Sequence, residues 1–85
     1  MYLLKLITLL AFLLASSIQA QEININTASA QQIASSLKGI GIKKAEEIVR
    51  YRNQHGKFKN ANDLTKIKGI GKKTVTKNEI NIRFK

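Results

Sequence analysis

The sequence predicts an all-α domain of four to five short helices, and three observations carry that prediction. A pentapeptide, Leu37-Lys38-Gly39-Ile40-Gly41, returns thirty residues later as Ile67-Lys68-Gly69-Ile70-Gly71. Apolar residues fall at helical spacing around the copies, and no run sustains the two-residue alternation of a half-buried strand. The 85 residues include no cysteine, so a domain this small must be held by helix packing or internal duplication rather than by disulfides.

The first 20 residues read as a leader. Met1 to Lys5 gives a short positive start, Leu6 to Ala15 is apolar apart from Thr8, and Ser16-Ser17-Ile18-Gln19-Ala20 ends in small residues. This is the pattern of a cleavable signal peptide, residues 1–20, cut after Ala20. The apolar stretch from Leu6 to Ile18 covers 13 residues, short of the roughly 20 that a membrane span requires. No cysteine stands near the cut, which excludes a lipid anchor. Removing 20 of the 85 residues leaves a domain of 65, residues 21–85.

Within that domain the repeat register extends beyond the pentapeptide, matching Ala34 to Leu64, Lys43 to Lys73 and Ala45 to Val75. Each copy reads as helix, tight turn, helix. Asn26-Thr27 is the expected N-cap of a helix over Ala28–Ser36, which Gly39 and Gly41 end. Ile42 to Gln54 forms the next helix, with an apolar stripe of Ile42, Ala45, Ile48, Val49 and Tyr51, and Gly56 stops it. Phe58 in the following connection is expected to plug the core. Asn60 or Asn62 caps a short helix through Lys66, and the second Gly-Ile-Gly leads into a last helix from Lys72 to about Asn81.

Composition bounds the function. Fifteen Lys+Arg against five Asp+Glu give a net charge of +10, and a leaderless domain keeps fourteen of those basic residues and all five acids, for +9. Such an excess predicts a polyanionic partner, nucleic acid or an anionic membrane surface. The absence of cysteine removes thiolate zinc sites and cysteine nucleophiles, and a single histidine, His55, lacks partners for acid–base chemistry. His55 is therefore expected on the surface near a helix end.

The lysines distinguish between partners. A helix N-terminus carries partial positive charge and is stabilised by acids in its first turn. Here the turns are followed by Lys43-Lys44 and Lys72-Lys73, and Glu46 and Glu47 come only later. A rule of folding broken twice at matching positions marks function opposing stability. Exposed backbone amides, the helix dipole and two lysines together favour an anion such as phosphate. The glycines allow both unusual φ angles and close approach of another molecule, while Ile40 and Ile70 fasten the turns to the core.

The residues at this point resemble a known family. The paired Gly-Ile-Gly turns, each with an apolar residue two positions before the first glycine, look like the helix-hairpin-helix motif that grips the DNA backbone. Ile25-Asn26-Thr27-Ala28-Ser29, Lys44-Ala45-Glu46-Glu47-Ile48-Val49-Arg50-Tyr51-Arg52, His55-Gly56-Lys57-Phe58, Asp63-Leu64 and Lys68-Gly69-Ile70-Gly71 resemble the DNA-binding domain of the ComEA-type competence proteins, over essentially all of 21–82. The resemblance implies a tandem helix-hairpin-helix domain in the periplasm that binds double-stranded DNA through its phosphate backbone, without sequence specificity. It implies retention of incoming DNA during uptake in natural transformation, with the type IV pilus and uptake machinery and an inner-membrane DNA channel as partners, and no cofactor, metal or catalytic residue. Carried onto this chain, the DNA-binding residues are Gly39, Ile40, Gly41, Lys43 and Lys44 in the first hairpin and Gly69, Ile70, Gly71, Lys72, Lys73 and Thr74 in the second. The chain departs from many family hairpins in carrying Lys38 and Lys68 where those have proline, and in the polar Asn78 and Glu79 of the last helix.

Three other readings compete. A secreted protein could use the same grip on extracellular DNA, for nutrition or biofilm. An accessory module of a DNA-processing enzyme is opposed by five scattered acids, which assemble no metal cluster. A lipid-surface peptide is opposed by short, glycine-broken helices without a wide Leu/Phe face.

Overall fold

The computed structural model describes residues 22–85. The expected signal peptide, residues 1–20, and its cleavage site before Gln21 lie outside the described residues. In chain order the elements are a two-residue strand β1 (Ile23–Asn24), α1 (Ala30–Ser36), α2 (Ile42–His55), α3 (Ala61–Leu64), α4 (Lys72–Asn78), one 3-10 turn (Glu79–Asn81) and a second two-residue strand β2 (Ile82–Arg83). The four α-helices form two hairpins, α1–α2 and α3–α4, as the repeat predicts.

The core is built from the repeat. Leu37 and Ile67, Ile40 and Ile70, and Ala45 and Val75 are equivalent pairs, and all six side chains are buried. Ile25, Ile33, Ile48, Phe58, Leu64 and Ile82 complete the cluster. Burying an Ile, Leu or Phe side chain stabilises by about 1.5–3 kcal/mol, which is how a domain without disulfides holds together. Phe58 plugs the core as expected, at 2% exposure, with its ring stacked on Tyr51 at a centroid separation of 5.4 Å.

The first helix starts two residues later than the sequence suggests. Ser29, not Asn26-Thr27, is the N-cap: its hydroxyl accepts from the Gln32 amide at 3.1 Å, and the Gln32 side chain accepts from the Ser29 amide at 2.9 Å. Asn26 is occupied elsewhere. Its Oδ1 accepts from the Phe58 amide at 2.7 Å and its Nδ2 donates to the Phe58 carbonyl at 3.0 Å, so this side chain fixes the loop that carries the core plug.

The α2 helix ends at Gly56, whose φ of 90° is open mainly to glycine. Ala45 and Ile48 are its buried residues, with Val49 and Tyr51 half-buried beside them. Ile42 departs from the expected stripe. It is 45% exposed, because the first turn of α2 projects past the core toward the hairpin tip. The third helix is only one turn long, since after Leu64 the chain continues in i-to-i−3 bonds from Thr65, Lys66 and Ile67. Asn60 caps it by accepting from the Asp63 amide at 3.1 Å. The Asp63 carboxyl is held below its ordinary range, chiefly because it accepts from the Lys59 amide and then because Lys66 lies beside it.

The strands are an addition to the expected elements. They pair in parallel, Ile23 opposite Ile82 and Asn24 opposite Arg83, and the Ile25 amide extends the ladder to the Arg83 carbonyl at 3.0 Å. Arg83 also pairs with Glu22. Two residues per strand are too few to leave a period in the sequence, yet the pairing joins both ends of the described chain over the buried Ile25 and Ile82.

Candidate nucleic-acid interface

The two Gly-Ile-Gly turns have the same construction. The first glycine of each sits in the left-handed region, Gly39 at φ 75° and Gly69 at φ 92°. The isoleucine that follows is 3% exposed in both copies. The second glycine is the N-cap of the next helix in extended conformation, Gly41 at φ −81° and ψ −177°, Gly71 at φ −94° and ψ 172°.

The two glycines of a turn are glycine for different reasons. At Gly39 and Gly69 the backbone demands it, and a Cβ would meet only ordinary contacts at 3.5–3.8 Å. Gly39→Ala and Gly69→Ala are each expected to lower stability by about 1–2 kcal/mol through conformational strain, measured by chemical denaturation. At Gly41 and Gly71 the φ angles suit any residue, and nothing lies within 4 Å of an added Cβ. Neither conformation nor packing inside the described chain requires glycine there.

The helix starts differ correspondingly. Ser29 and Asn60 cap α1 and α3 with side chains, whereas α2 and α4 have no side-chain cap and no acid in the first turn. The first cap-closing bonds run from Ala45 to the Gly41 carbonyl and from Val75 to the Gly71 carbonyl. The amides of Gly41, Ile42, Lys43 and Lys44, and of Gly71, Lys72, Lys73 and Thr74, have no acceptor among the described residues. Lys43, Lys72 and Lys73 are exposed beside them, and Lys44 and Thr74 are half-buried. Each tip therefore presents unpaired amides, a positive helix end and cations, with the glycine surface bare.

The tertiary structure crosses the hairpins over one another. A Cβ on Gly69 would lie 3.5 Å from Lys44 Cε, so the stem of this α2 lysine covers the second turn. A Cβ on Gly39 would lie 3.8 Å from Thr74 Cγ2 and 3.7 Å from Lys77 Nζ, both on α4. Each turn is thus flanked by the second helix of the other hairpin.

All eleven sequence-predicted residues fall in or beside the two turns, but not all with their side chains available. Ile40 and Ile70 point into the core, and the Ile70 amide already donates to the Ile67 carbonyl at 3.0 Å. The backbone of Ile40 remains, while Ile70 serves by anchoring its turn. Sequence reasoning missed Lys77, which the repeat aligns with Glu47 and which only the fold carries to the first turn. Asn78, a polar departure in the last helix by sequence, is the last residue of α4. Asn78 is buried and bonded to the backbone of Lys38, the residue before Gly39.

His55 stands exposed at the end of α2, its ring stacked on Tyr51 at 4.2 Å and its Nδ1 3.2 Å from the Tyr51 carbonyl. Among the described residues no three His, Asp or Glu side chains gather to hold a metal, and no helix is long and apolar enough to cross a membrane.

A profile of the helix-hairpin-helix motif matches residues 18–83. The chain belongs to the helix-hairpin-helix family. Over 70 residues it is 51% identical to an uncharacterized protein of Haemophilus influenzae, covering 82% of this chain and 62% of that one. Over 63 residues it is 40% identical to ComE operon protein 1 of Bacillus subtilis, covering 74% of this chain and 30% of that one. This bears out the likeness to ComEA-type proteins. A shorter match, 42% over 53 residues, joins 62% of this chain to 9% of endonuclease/exonuclease/phosphatase family domain-containing protein 1 of Xenopus laevis. This helix-hairpin-helix chain thus spans under two thirds of the length of each of these relatives.

Proposed function

We propose that this helix-hairpin-helix chain binds double-stranded DNA through its phosphates, without sequence preference, and acts outside the cytoplasm to retain incoming DNA during natural transformation. The observation that carries the reading is the pair of second glycines. Gly41 and Gly71 leave two helix starts uncapped and bare where neither φ nor packing calls for glycine. A side-chain cap there would stabilise the helix; its absence keeps the amides free for phosphate oxygens. Two such tips related by the repeat suit one phosphate group on each strand across the minor groove, with Lys43, Lys44, Lys72, Lys73 and Thr74 adding side-chain contacts.

Location and biological role rest on the leader-like residues 1–20 and on the likeness to ComE operon protein 1. The pilus-linked uptake machinery and an inner-membrane channel are the corresponding partners. The chain is read as a binding protein rather than an enzyme, because its five acids are dispersed and its resemblance to the endonuclease-family protein covers only a small part of that protein.

Salt titration tests the binding mode. If the tips neutralise about four to six phosphates, log K falls against log salt with a slope of roughly −4 to −5. Duplexes of unrelated sequence are expected to bind alike, because phosphate contacts position without specifying, and single strands more weakly. A slope near zero, equal binding to anionic vesicles at matched salt, or nicking of a plasmid in Mg²⁺ would each overturn the reading.

A further inference from the structure

The second copy of the repeat breaks its own pattern at one core position. Asn78 stands thirty residues after Ile48, on the inward face of the second helix of its hairpin, and it is 1% exposed where Ile48 is fully buried. A buried amide costs free energy unless its groups are bonded. Here Oδ1 accepts from the Lys38 amide at 2.8 Å, and Nδ2 donates to the carbonyls of Lys38 and Thr74, both at 2.8 Å. The Thr74 bond ties the side chain to its own helix, while the other two grasp both polar groups of one peptide residue in the opposite hairpin.

That residue immediately precedes Gly39, and the two turns differ at this point. The second turn is closed by its own bond, Ile70 amide to Ile67 carbonyl at 3.0 Å. Among the described residues the first turn has no equivalent bond from Ile40 to Leu37. The first turn is held by the buried Ile40 and, in place of that bond, by the Asn78 side chain of the other hairpin.

We propose that Asn78 is the positioning residue of the first tip: from α4 it fixes the Lys38 backbone, and through it the Gly39–Gly41 turn, so that the first phosphate grip forms only when the second hairpin is docked. The proposal rests on the duplex-binding reading above and adds to it that the two grips are built as a unit. Asn78 contacts no DNA in this account; it acts through the turn.

The test uses Asn78→Leu, which keeps the branched shape and removes all three bonds, and Lys38→Pro, which removes the amide that Asn78 accepts from together with the lysine side chain and keeps the carbonyl that Asn78 donates to. Leu37 has φ −105° and ψ 135°, the extended backbone that a following proline needs. Lys38→Ala sets the baseline for the lost lysine. Duplex binding is measured over a salt series at a temperature where circular dichroism shows each variant folded. Asn78→Leu is expected to weaken binding by about 60-fold at roughly 0.1 M salt and to make the salt slope shallower by about two units, as two phosphate contacts are lost; Lys38→Pro, which keeps the Nδ2 bond to the carbonyl of residue 38, weakens binding less than Asn78→Leu but more than Lys38→Ala.

A double-mutant cycle separates positioning from general loosening. In a Lys43→Ala background, where the first grip is already weakened and the Lys44 stem over Gly69 is left in place, Asn78→Leu is expected to cost less than in the wild type. In a Lys72→Ala/Lys73→Ala background it keeps its effect. Equal losses in both backgrounds, or an unchanged slope in folded Asn78→Leu, overturn the role of Asn78. Failure of the wild-type chain to bind duplex at all overturns the duplex-binding reading instead, so the two failures are distinct.

Discussion

Replacing Gly41 and Gly71 together with Asp is expected to raise the melting temperature while lowering duplex affinity by about a hundredfold or more. Both positions already have the extended backbone of an N-cap, and both have open space for a side chain. Asp is a better cap than Gly by a few tenths of a kcal/mol, and a carboxylate at a helix start contributes a further 0.3–1 kcal/mol or so through the dipole. About 1 kcal/mol in a domain of this size corresponds to a rise of about 4–8 °C. The same carboxylates occupy the amides meant for phosphate and repel its charge. Gly41→Asn with Gly71→Asn caps without charge, and is expected to fall between wild type and the Asp pair in affinity. A stabilised Asp variant with unchanged affinity would show that the turns do not hold DNA.

Changing Lys43, Lys44, Lys72 and Lys73 to Ala is expected to preserve the fold and cost at least tenfold in duplex affinity. Each phosphate neutralised contributes about 0.9 decade at roughly 0.1 M salt, so the loss reaches about three and a half decades if all four side chains meet phosphates. The fold survives because Lys43, Lys72 and Lys73 are exposed and none of the four forms an ion pair with a described residue. Removing cations from two positive helix starts is, if anything, favourable to the helices. Lys44 is the exception to watch, since its stem lies over Gly69 and also packs. Unchanged affinity with a native circular dichroism spectrum sinks the assignment of the hairpins as the interface, whereas a persisting slope near −1 or −2 measures what the remaining cations, Lys77 among them, contribute.

Much of this was legible because it is local. A pentapeptide repeated at thirty residues declares two hairpins, and Gly39 and Gly69 declare their left-handed turns. Lysines placed against the dipole at 43–44 and 72–73 declare an anion. The start of α1 was misread because two plausible caps stand three residues apart. Ser29 caps the helix only because Asn26 is drawn off by the Phe58 backbone, 32 residues away. The strand pair was invisible because two-residue strands carry no period; only the meeting of 23–24 with 82–83 creates them. Lys77 and Asn78 were undervalued for the same kind of reason, since each acts at the first turn from the far hairpin.

Residue type and spacing were enough to specify a duplicated helical hairpin, strongly basic, with glycine turns followed by lysines, because propensity, φ preference and charge act locally. Tertiary structure decided how the copies combine. The hairpins cross, so that Lys44 covers the second turn while Thr74 and Lys77 flank the first, and Asn78 replaces a core isoleucine to hold the Lys38 backbone. Such contacts join residues thirty to forty positions apart, and whether an asparagine at a core position is a defect or a clamp depends on which backbone groups the folded chain brings within hydrogen-bond reach of it.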